Sequence, residues 1–481
     1  MQALRRRTWP RPPPSDDLQP PDELLDWLYG LKGPSLKWDL ETAHALNALC
    51  GRPDRAFRAL HVAGTNGKGS VAAMAHAIAL AAGIPAGLYP SPHLVRPEER
   101  IRIDGAEIGG PALRERIGRL RALAEDGVLS GALPRFPSFF EMMTAAAFLS
   151  FAEERVRFAA VECGLGGRLD ATNVITPLAA VVTTVAMDHV PILGPTLADI
   201  AREKAGIVKP GIPVLVGWLP VEALAAVAAR ARSVGAPLFA AARELAIGED
   251  GAADRFVVAT PERTYRGLTC ALPGSHQRRN AALAIRAIEL CRERGLPVPP
   301  EAIAEGLARV RWPGRLERIE RPGEPIVLLD AAHNPEGAEA LAAWLATADG
   351  SGTRGRRRRV AVYGLTEGRN PLEIFAPLAG AVDAWVATRP AIEKALDPAG
   401  IAAVLAAAGA AVEVVDDPAQ ALARGWELAG APATGGEVLV TGSLYLVGDA
   451  RRILLGLAGP GHPPRETLLP RAGGTAAGDA R

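Results

Sequence analysis

The stretch Phe57-Arg58-Ala59-Leu60-His61-Val62-Ala63-Gly64-Thr65-Asn66-Gly67-Lys68-Gly69-Ser70-Val71-Ala72-Ala73-Met74 decides the fold. The apolar run Phe57 to Ala63 predicts a buried strand, the residues Val71 to Ala82 predict a helix, and Gly83 stands where a helix-ending glycine belongs. Between them Gly64, Thr65, Asn66, Gly67, Lys68, Gly69 and Ser70 form a strand-to-helix turn suited to phosphate. Glycines let backbone N–H groups converge on phosphate oxygens, the helix N-terminus adds partial positive charge, and Lys68 reaches the β and γ phosphates. An ordinary glycine-rich turn would explain the glycines but not a lysine between two of them. The loop also departs from the common GxxxxGK[ST] form: Val62 stands where the first glycine would be, and Gly69 replaces the hydroxyl residue after the lysine. A hydroxyl or carboxylate from elsewhere must then hold the metal that accompanies the nucleotide.

Outward from this loop, short apolar runs alternate with alanine-rich helical stretches, the pattern of a wound α/β sheet. Phe158 to Val161, Ala179 to Val185, Ile326 to Leu329, Val360 to Tyr363, Ala384 to Ala387 and Val438 to Val440 read as buried parallel strands. The chain divides into an N-terminal phosphate-loop ATPase domain at residues 22–311, a junction at 312–322 around Trp312-Pro313-Gly314-Arg315, and a smaller Rossmann-like α/β domain at 323–459. Residues 1–21 and 460–481, rich in proline, glycine and charge, read as disordered tails. The segment Ala241 to Ala271 alternates differently and reads as an antiparallel patch on the first domain, and the run Arg354 to Arg359 reads as a solvated loop.

Composition narrows the function classes. The chain has 481 residues, 48% of them hydrophobic, enough for more than one core. A formal net charge of +1 leaves no broad basic face for duplex nucleic acid or an anionic membrane. Cys50, Cys163, Cys270 and Cys291 are scattered and fit reduced cytosolic thiols. No export signal and no apolar span of roughly 20 residues is read, so a soluble cytoplasmic protein is expected.

Further ordered motifs follow the loop: Ser91-Pro92-His93-Leu94, Arg96, Glu99-Arg100-Ile101, Phe140-Glu141, the run Glu162 to Asn173, Asp188-His189, Leu193-Gly194, Glu203 to Ile207, Gly274 to Gln277, Asn280-Ala281, Gly314-Arg315 and Asp330-Ala331-Ala332-His333-Asn334-Pro335. With the loop, this series resembles the folate branch of the Mur-type ligases, the folylpolyglutamate and dihydrofolate synthases, over roughly residues 22–450. The resemblance implies a first domain like the Mur ligase central domain and a second that is the glutamate-ligase domain. It implies ATP bound by residues 64–70 with Asn280, Arg315 and Asp330, and two Mg²⁺ ions, one of them held by Ser91, Glu162 and His189. It further implies catalytic roles for Lys68, Lys204 and His189, a carbamate on Lys204 as an anionic ligand, and pteroate contacts from Lys37, Trp38, Asp39, Ser138, Phe139, Phe140 and Asp170. A monomer is implied as well.

The residues support these readings unequally. Glu162 ends an apolar strand, where a carboxylate faces the crevice used for ligands. His189 follows another strand, yet a lone histidine reads equally as a packing residue, and Lys204 reads equally as a surface helix charge. Asn280, Arg315 and Asp330 each have a hinge or capping alternative, and an aromatic pair such as Phe139-Phe140 is more often core. The implied reaction joins L-glutamate to a folate carboxylate, a dihydropteroate carboxylate, or both, through an acyl phosphate. Two other readings stand beside it: a ligase extending a cell-wall nucleotide peptide, which usually carries a further N-terminal domain, and a phosphate-loop NTPase module that forms no amide.

Overall fold

The computed structural model describes residues 22–31, 39–350, 357–430 and 436–457. The expected tails and the pteroate candidates Lys37 and Trp38 lie outside the described residues. Strand β1 (Arg58–Ala63) sits inside an eight-stranded sheet with β2 (Ala86–Tyr89), β3 (Arg102–Ile103), β4 (Ala106–Glu107), β5 (Phe158–Glu162), β6 (Ala179–Val182), β7 (Val214–Val216) and β8 (Leu238–Ala240). The order is β4-β3-β2-β5-β1-β6-β7-β8, parallel except for the short β3 and β4 at one edge. β1 pairs on both sides, Leu60 with Ala160 of β5 and with Ala179 of β6. Chain order therefore reverses about β1, which makes its C-terminal end a crevice for ligands.

Alternation along β1 distributes the core. Leu60 and Val62 join the layer that holds helices Lys68–Ala81, Ser275–Glu293 and Glu301–Arg309, while Ala59 joins the opposite layer with helices Gly110–Leu129 and Phe139–Glu153. Each fully buried leucine or valine of this kind contributes about 1.5–3 kcal/mol. Helix Lys68–Ala81 is buried along most of its length, and its alanines bring its backbone close to its neighbours: a Cβ on Gly306 would lie 2.5 Å from Ile78 Cα.

This helix starts at Lys68, three residues before the expected Val71. Gly67 adopts a left-handed φ of 81° at the N-cap, a conformation costly for other residues, and so turns Lys68, Gly69 and Ser70 into the first helical turn. At the other end the helix stops at Ala81 with Gly83 at φ 70°. The expected strand to Val185 ends at Val182, leaving Thr183 and Thr184 free to turn toward the phosphate loop.

A three-stranded antiparallel sheet, β9 (Ala246–Asp250), β10 (Ala252–Ala259) and β11 (Thr264–Leu268), occupies the segment that alternates differently in sequence. After the turn at Trp312 to Leu316 comes a six-stranded sheet: β12 (Glu317–Ile319), β13 (Ile326–Leu329), β14 (Arg359–Tyr363), β15 (Ala384–Ala387), β16 (Val412–Val414) and β17 (Glu437–Thr441). Its order is β12-β13-β17-β14-β15-β16, with only β12 antiparallel to its neighbour. The arginine run requires a correction. Arg357 and Arg358 are exposed, but Arg359 opens β14, is 2% exposed, pairs with Glu437 and donates to Ala381 O at 2.9 Å. A partnered carboxylate on the neighbouring strand makes a buried guanidinium tolerable where composition alone suggests solvent.

Candidate active site

The helix beginning at Lys68 has no side-chain cap, so its first N–H groups point at the crevice and suit an anion. Lys68 Nζ donates to Thr65 O at 3.1 Å, folded back over the loop. Thr65 is tied down by Ala186 N–H at 3.1 Å, and Asn66 N–H by Thr184 Oγ1 at 3.0 Å. Gly69 has a steric reason absent from the sequence: a Cβ there would lie 2.7 Å from Trp312 Cζ2 and 3.1 Å from Glu162 Oε2. Ser70 is buried and its Oγ receives Gln277 Nε2 at 3.3 Å.

Glu162, the last residue of β5, is 4% exposed and accepts Ser91 N–H at 3.0 Å. Burial raises its carboxyl above the ordinary range, opposed by the nearby Lys68 charge and the Ser91 N–H. The Ser91 hydroxyl oxygen is buried without a hydrogen-bond partner. His189 sits half-exposed at a left-handed φ of 50°, its Nε2 3.8 Å from Asp188 Oδ1, and burial lowers its pKa against the pull of Asp188. Burial would raise the Asp188 carboxyl, but His189 and Arg369 hold it well below the ordinary range.

Lys204 is not a surface charge. On helix Leu197–Ala205 it is 3% exposed, and its Nζ donates to Gly64 O at 2.8 Å. Burial, then the neighbouring Lys68, brings its pKa down to about 7. Asn280 lies beside the loop, since a Cβ on Gly67 would be 2.6 Å from its Oδ1, and its Nδ2 donates to Gln277 Oε1 at 3.0 Å. Asp330, at the end of β13, accepts Leu316 N–H and Ala332 N–H, each at 3.0 Å, and burial raises its pKa. Arg315 donates to Ala331 O at 3.5 Å and is a charge neighbour of both Asp330 and Glu162.

The pteroate candidates fare differently. Asp39 accepts Glu41 N–H at 3.0 Å at a helix start. Ser138 caps helix Phe139–Glu153 in a reciprocal box with Glu141. Phe139 is 7% exposed, stacked on Tyr29 at 5.4 Å and 5.1 Å under the Arg100 guanidinium, so its ring is held by packing. Phe140 is half-buried and touches the site edge, 2.6 Å from where a Cβ on Gly164 would stand. Asp170 is buried and spends its oxygens on Leu165 N–H at 2.9 Å, on Thr172 N–H at 3.0 Å and on the Thr172 hydroxyl. It shapes the 163–173 turn rather than presenting a free carboxylate.

Three residues to which the sequence assigns no role, Asn334, Glu336 and Arg369, complete the site. Asn66 and Asn334 exchange amide hydrogen bonds of 3.2 and 3.0 Å, Asn66 Nδ2 donates to Glu336 Oε2 at 2.6 Å, and Arg369 pairs with Asp188 at 2.7 Å. These bonds join the phosphate-loop side to loops of the six-stranded sheet.

A phosphate-type loop closed over by a second parallel-sheet domain defines a nucleotide-dependent ligase of Mur type, and residues 314–444 match the family model described as Mur ligase, glutamate ligase domain. The chain is 39% identical over 321 residues to a dihydrofolate synthase/folylpolyglutamate synthase of Bacillus subtilis, covering 66% of this chain and 74% of that protein. A protein of the same description from Mycobacterium tuberculosis is 33% identical, with 90% and 95% covered. Among solved structures, a folylpolyglutamate synthase of M. tuberculosis with ADP and AMPPCP superposes with a TM-score of 0.80 at 32% identity, covering 91% of this chain and 99% of that one. Escherichia coli FolC with DHPP and ADP gives 0.79 at 29%, covering 91% and 98%. The chain belongs to the folylpolyglutamate synthase/dihydrofolate synthase family of ATP-dependent glutamate ligases. The cell-wall and non-ligase readings are set aside by these relatives. No helix among the described residues is long and apolar enough to cross a membrane.

Proposed function

We propose that the chain uses ATP to phosphorylate a folate or dihydropteroate carboxylate and then joins L-glutamate to it as an amide, releasing ADP and phosphate. The observation that carries this is the uncapped helix start with Lys68, beside the buried carboxylate of Glu162 and the unpartnered hydroxyl of Ser91. The loop N–H groups and Lys68 hold the phosphates and steady the charge that grows on the transferred group. The substrate carboxylate attacks the γ-phosphorus, ADP leaves, and the glutamate amine then displaces phosphate from the acyl carbon while losing a proton.

The residues fit magnesium. Ser91 Oγ is a buried oxygen lacking a partner, Glu162 places its carboxyl group beside it, and a His189 with lowered pKa keeps a neutral ring with a lone pair. Magnesium bound there supplies charge neutralisation for the transferred phosphoryl group. Two ions are expected, the second near Lys204. With a pKa of about 7, half of the Lys204 amine is neutral near neutral pH, which favours addition to carbon dioxide with loss of a proton to give an anionic carbamate. Asn280 and Arg315 are assigned to the nucleotide, Asp330 to the same cleft through the turn it braces, and Phe140 to the pteroate edge. All these groups come from one chain, so a monomer suffices, and four unpaired cysteines fit the reducing cytosol.

The test is a panel of dihydropteroate and reduced folates, each with ATP, magnesium and labelled glutamate. Glutamate-dependent ADP release with label in an amide is the expected result. ADP release that needs no glutamate, with no amide from any acceptor, would refute the reading.

A further inference from the structure

The side chain of Asn66 sits in the middle of the phosphate loop, yet its hydrogen bonds go to Asn334 and Glu336 of the second domain. Its backbone is already held: the N–H by Thr184 Oγ1 at 3.0 Å, the carbonyl by Thr183 Oγ1 at 2.6 Å. Its amide makes a reciprocal pair with Asn334, Nδ2 to Oδ1 at 3.2 Å and Nδ2 from Asn334 to Oδ1 at 3.0 Å. Glu336 adds a charge-assisted bond to Asn66 Nδ2 at 2.6 Å and accepts from Thr184 Oγ1 at 3.4 Å. Asn334 is 2% exposed and is itself rigid, because its Oδ1 also takes Gly337 N–H at 2.9 Å at the start of helix Pro335–Gly350. Two short polar side chains with the wrong partner, or none, would leave buried donors unsatisfied, so this geometry exists only while the two domains are seated together.

We propose that the Asn66–Asn334–Glu336 cluster is a clasp that couples seating of the second domain to the shape of the phosphate loop, and that it keeps the acyl phosphate from water until glutamate attacks. The inference rests on the functional reading above and deepens it. Asn66 and Asn334 are positioning residues: neither touches a reacting atom. When the clasp is open, water attacks the acyl phosphate, returning the free carboxylate and orthophosphate with release of a proton, so ATP is consumed without amide. A closed clasp holds the loop and the glutamate-ligase domain in register and excludes that water.

The experiment uses the full-length chain with Asn334→Ser, Asn66→Ala and the double variant. Serine preserves the helix cap, because its hydroxyl also accepts from the first-turn N–H, but is too short to reach Asn66. A purely structural role for Asn334 is therefore retained, whereas the clasp is lost. Three quantities are measured: ADP affinity by calorimetry, the rate of amide formation, and ADP released per amide. For Asn334→Ser the expected result is ADP affinity within about twofold of wild type, amide formation slowed about 5- to 100-fold, and ADP per amide rising well above one. The double variant should be no slower than the slower single variant, since both changes break the same cluster. Wild-type rate in Asn334→Ser, a rate loss without excess ADP, additive losses in the double variant, or an ADP affinity in Asn66→Ala that falls with the rate would each overturn the clasp. Failure of the functional reading is separate, because it appears in the wild-type control as absence of amide.

Discussion

Replacing Lys204 with methionine isolates the cost of burying an amine beside the phosphate loop. The side chain keeps its length and loses its proton chemistry. Lys204 is 3% exposed, and burial with the Lys68 charge lowers its pKa from 10.5 to about 7. Between those values the unfolded chain holds a proton that the folded chain has lost, so wild-type stability rises with pH through this window. At ~1.4 kcal/mol per pKa unit, Lys204 costs the fold about 5 kcal/mol at pH 6 and about 3 kcal/mol at pH 8.5. Lys204→Met carries no such penalty at either pH. It does lose the 2.8 Å bond to Gly64 O, an offset that does not depend on pH. The stability difference between variant and wild type should therefore move by about 2 kcal/mol in favour of the wild type from pH 6 to pH 8.5. That corresponds to about 5 °C in relative melting midpoint for a domain of this size class. Scanning calorimetry of both proteins in buffer stripped of carbon dioxide measures it. Melting midpoints that run parallel across this pH range would refute the buried neutral amine, and with it the basis for a carbamate. The same variant should show no labelled carbamate after exposure to ¹³C-carbonate and little ligase activity.

Gly69→Ser, which restores the more common loop residue, should destabilise by about 1–3 kcal/mol, because its Cβ meets Trp312; a wild-type melting midpoint would show that the indole moves aside freely. Lys68→Ala should lower ligase turnover by about 100-fold or more while leaving the melting midpoint nearly unchanged, and substantial turnover would remove Lys68 from the phosphate site. Glu162→Gln should need about tenfold more magnesium for half-maximal rate, read from a magnesium titration, whereas an unchanged titration at unchanged rate would take Glu162 out of the metal set.

How much of this was legible in the sequence depends on the range of the contact involved. The strand-loop-helix at Arg58 to Ala81 is local, and apolar periodicity with glycine punctuation suffices to find it. Its exact start at Lys68 was not, because it depends on the left-handed turn at Gly67. Glu162 was legible as a carboxylate at the end of a buried strand, and its neighbour Ser91 only through family resemblance. Composition misread Arg359, since its burial depends on Glu437 on another strand. Ser138 and Asp170 resemble binding residues in a motif, yet their oxygens close a helix cap and a turn. Thr184, Glu336 and Arg369 carry no local signal at all; they matter because the fold brings distant loops within hydrogen-bond reach.

The indole of Trp312 over Gly69 also bears on how this chain can change across generations. A side chain at 69 collides with the indole, and a smaller residue at 312 leaves an unfilled space above Gly69 and Glu162. Either single step passes through a less stable protein, so substitutions at these positions are tolerated chiefly in combination. The loop and the interdomain junction, far apart in the chain, should therefore covary among relatives, with bulk at one matched by its absence at the other.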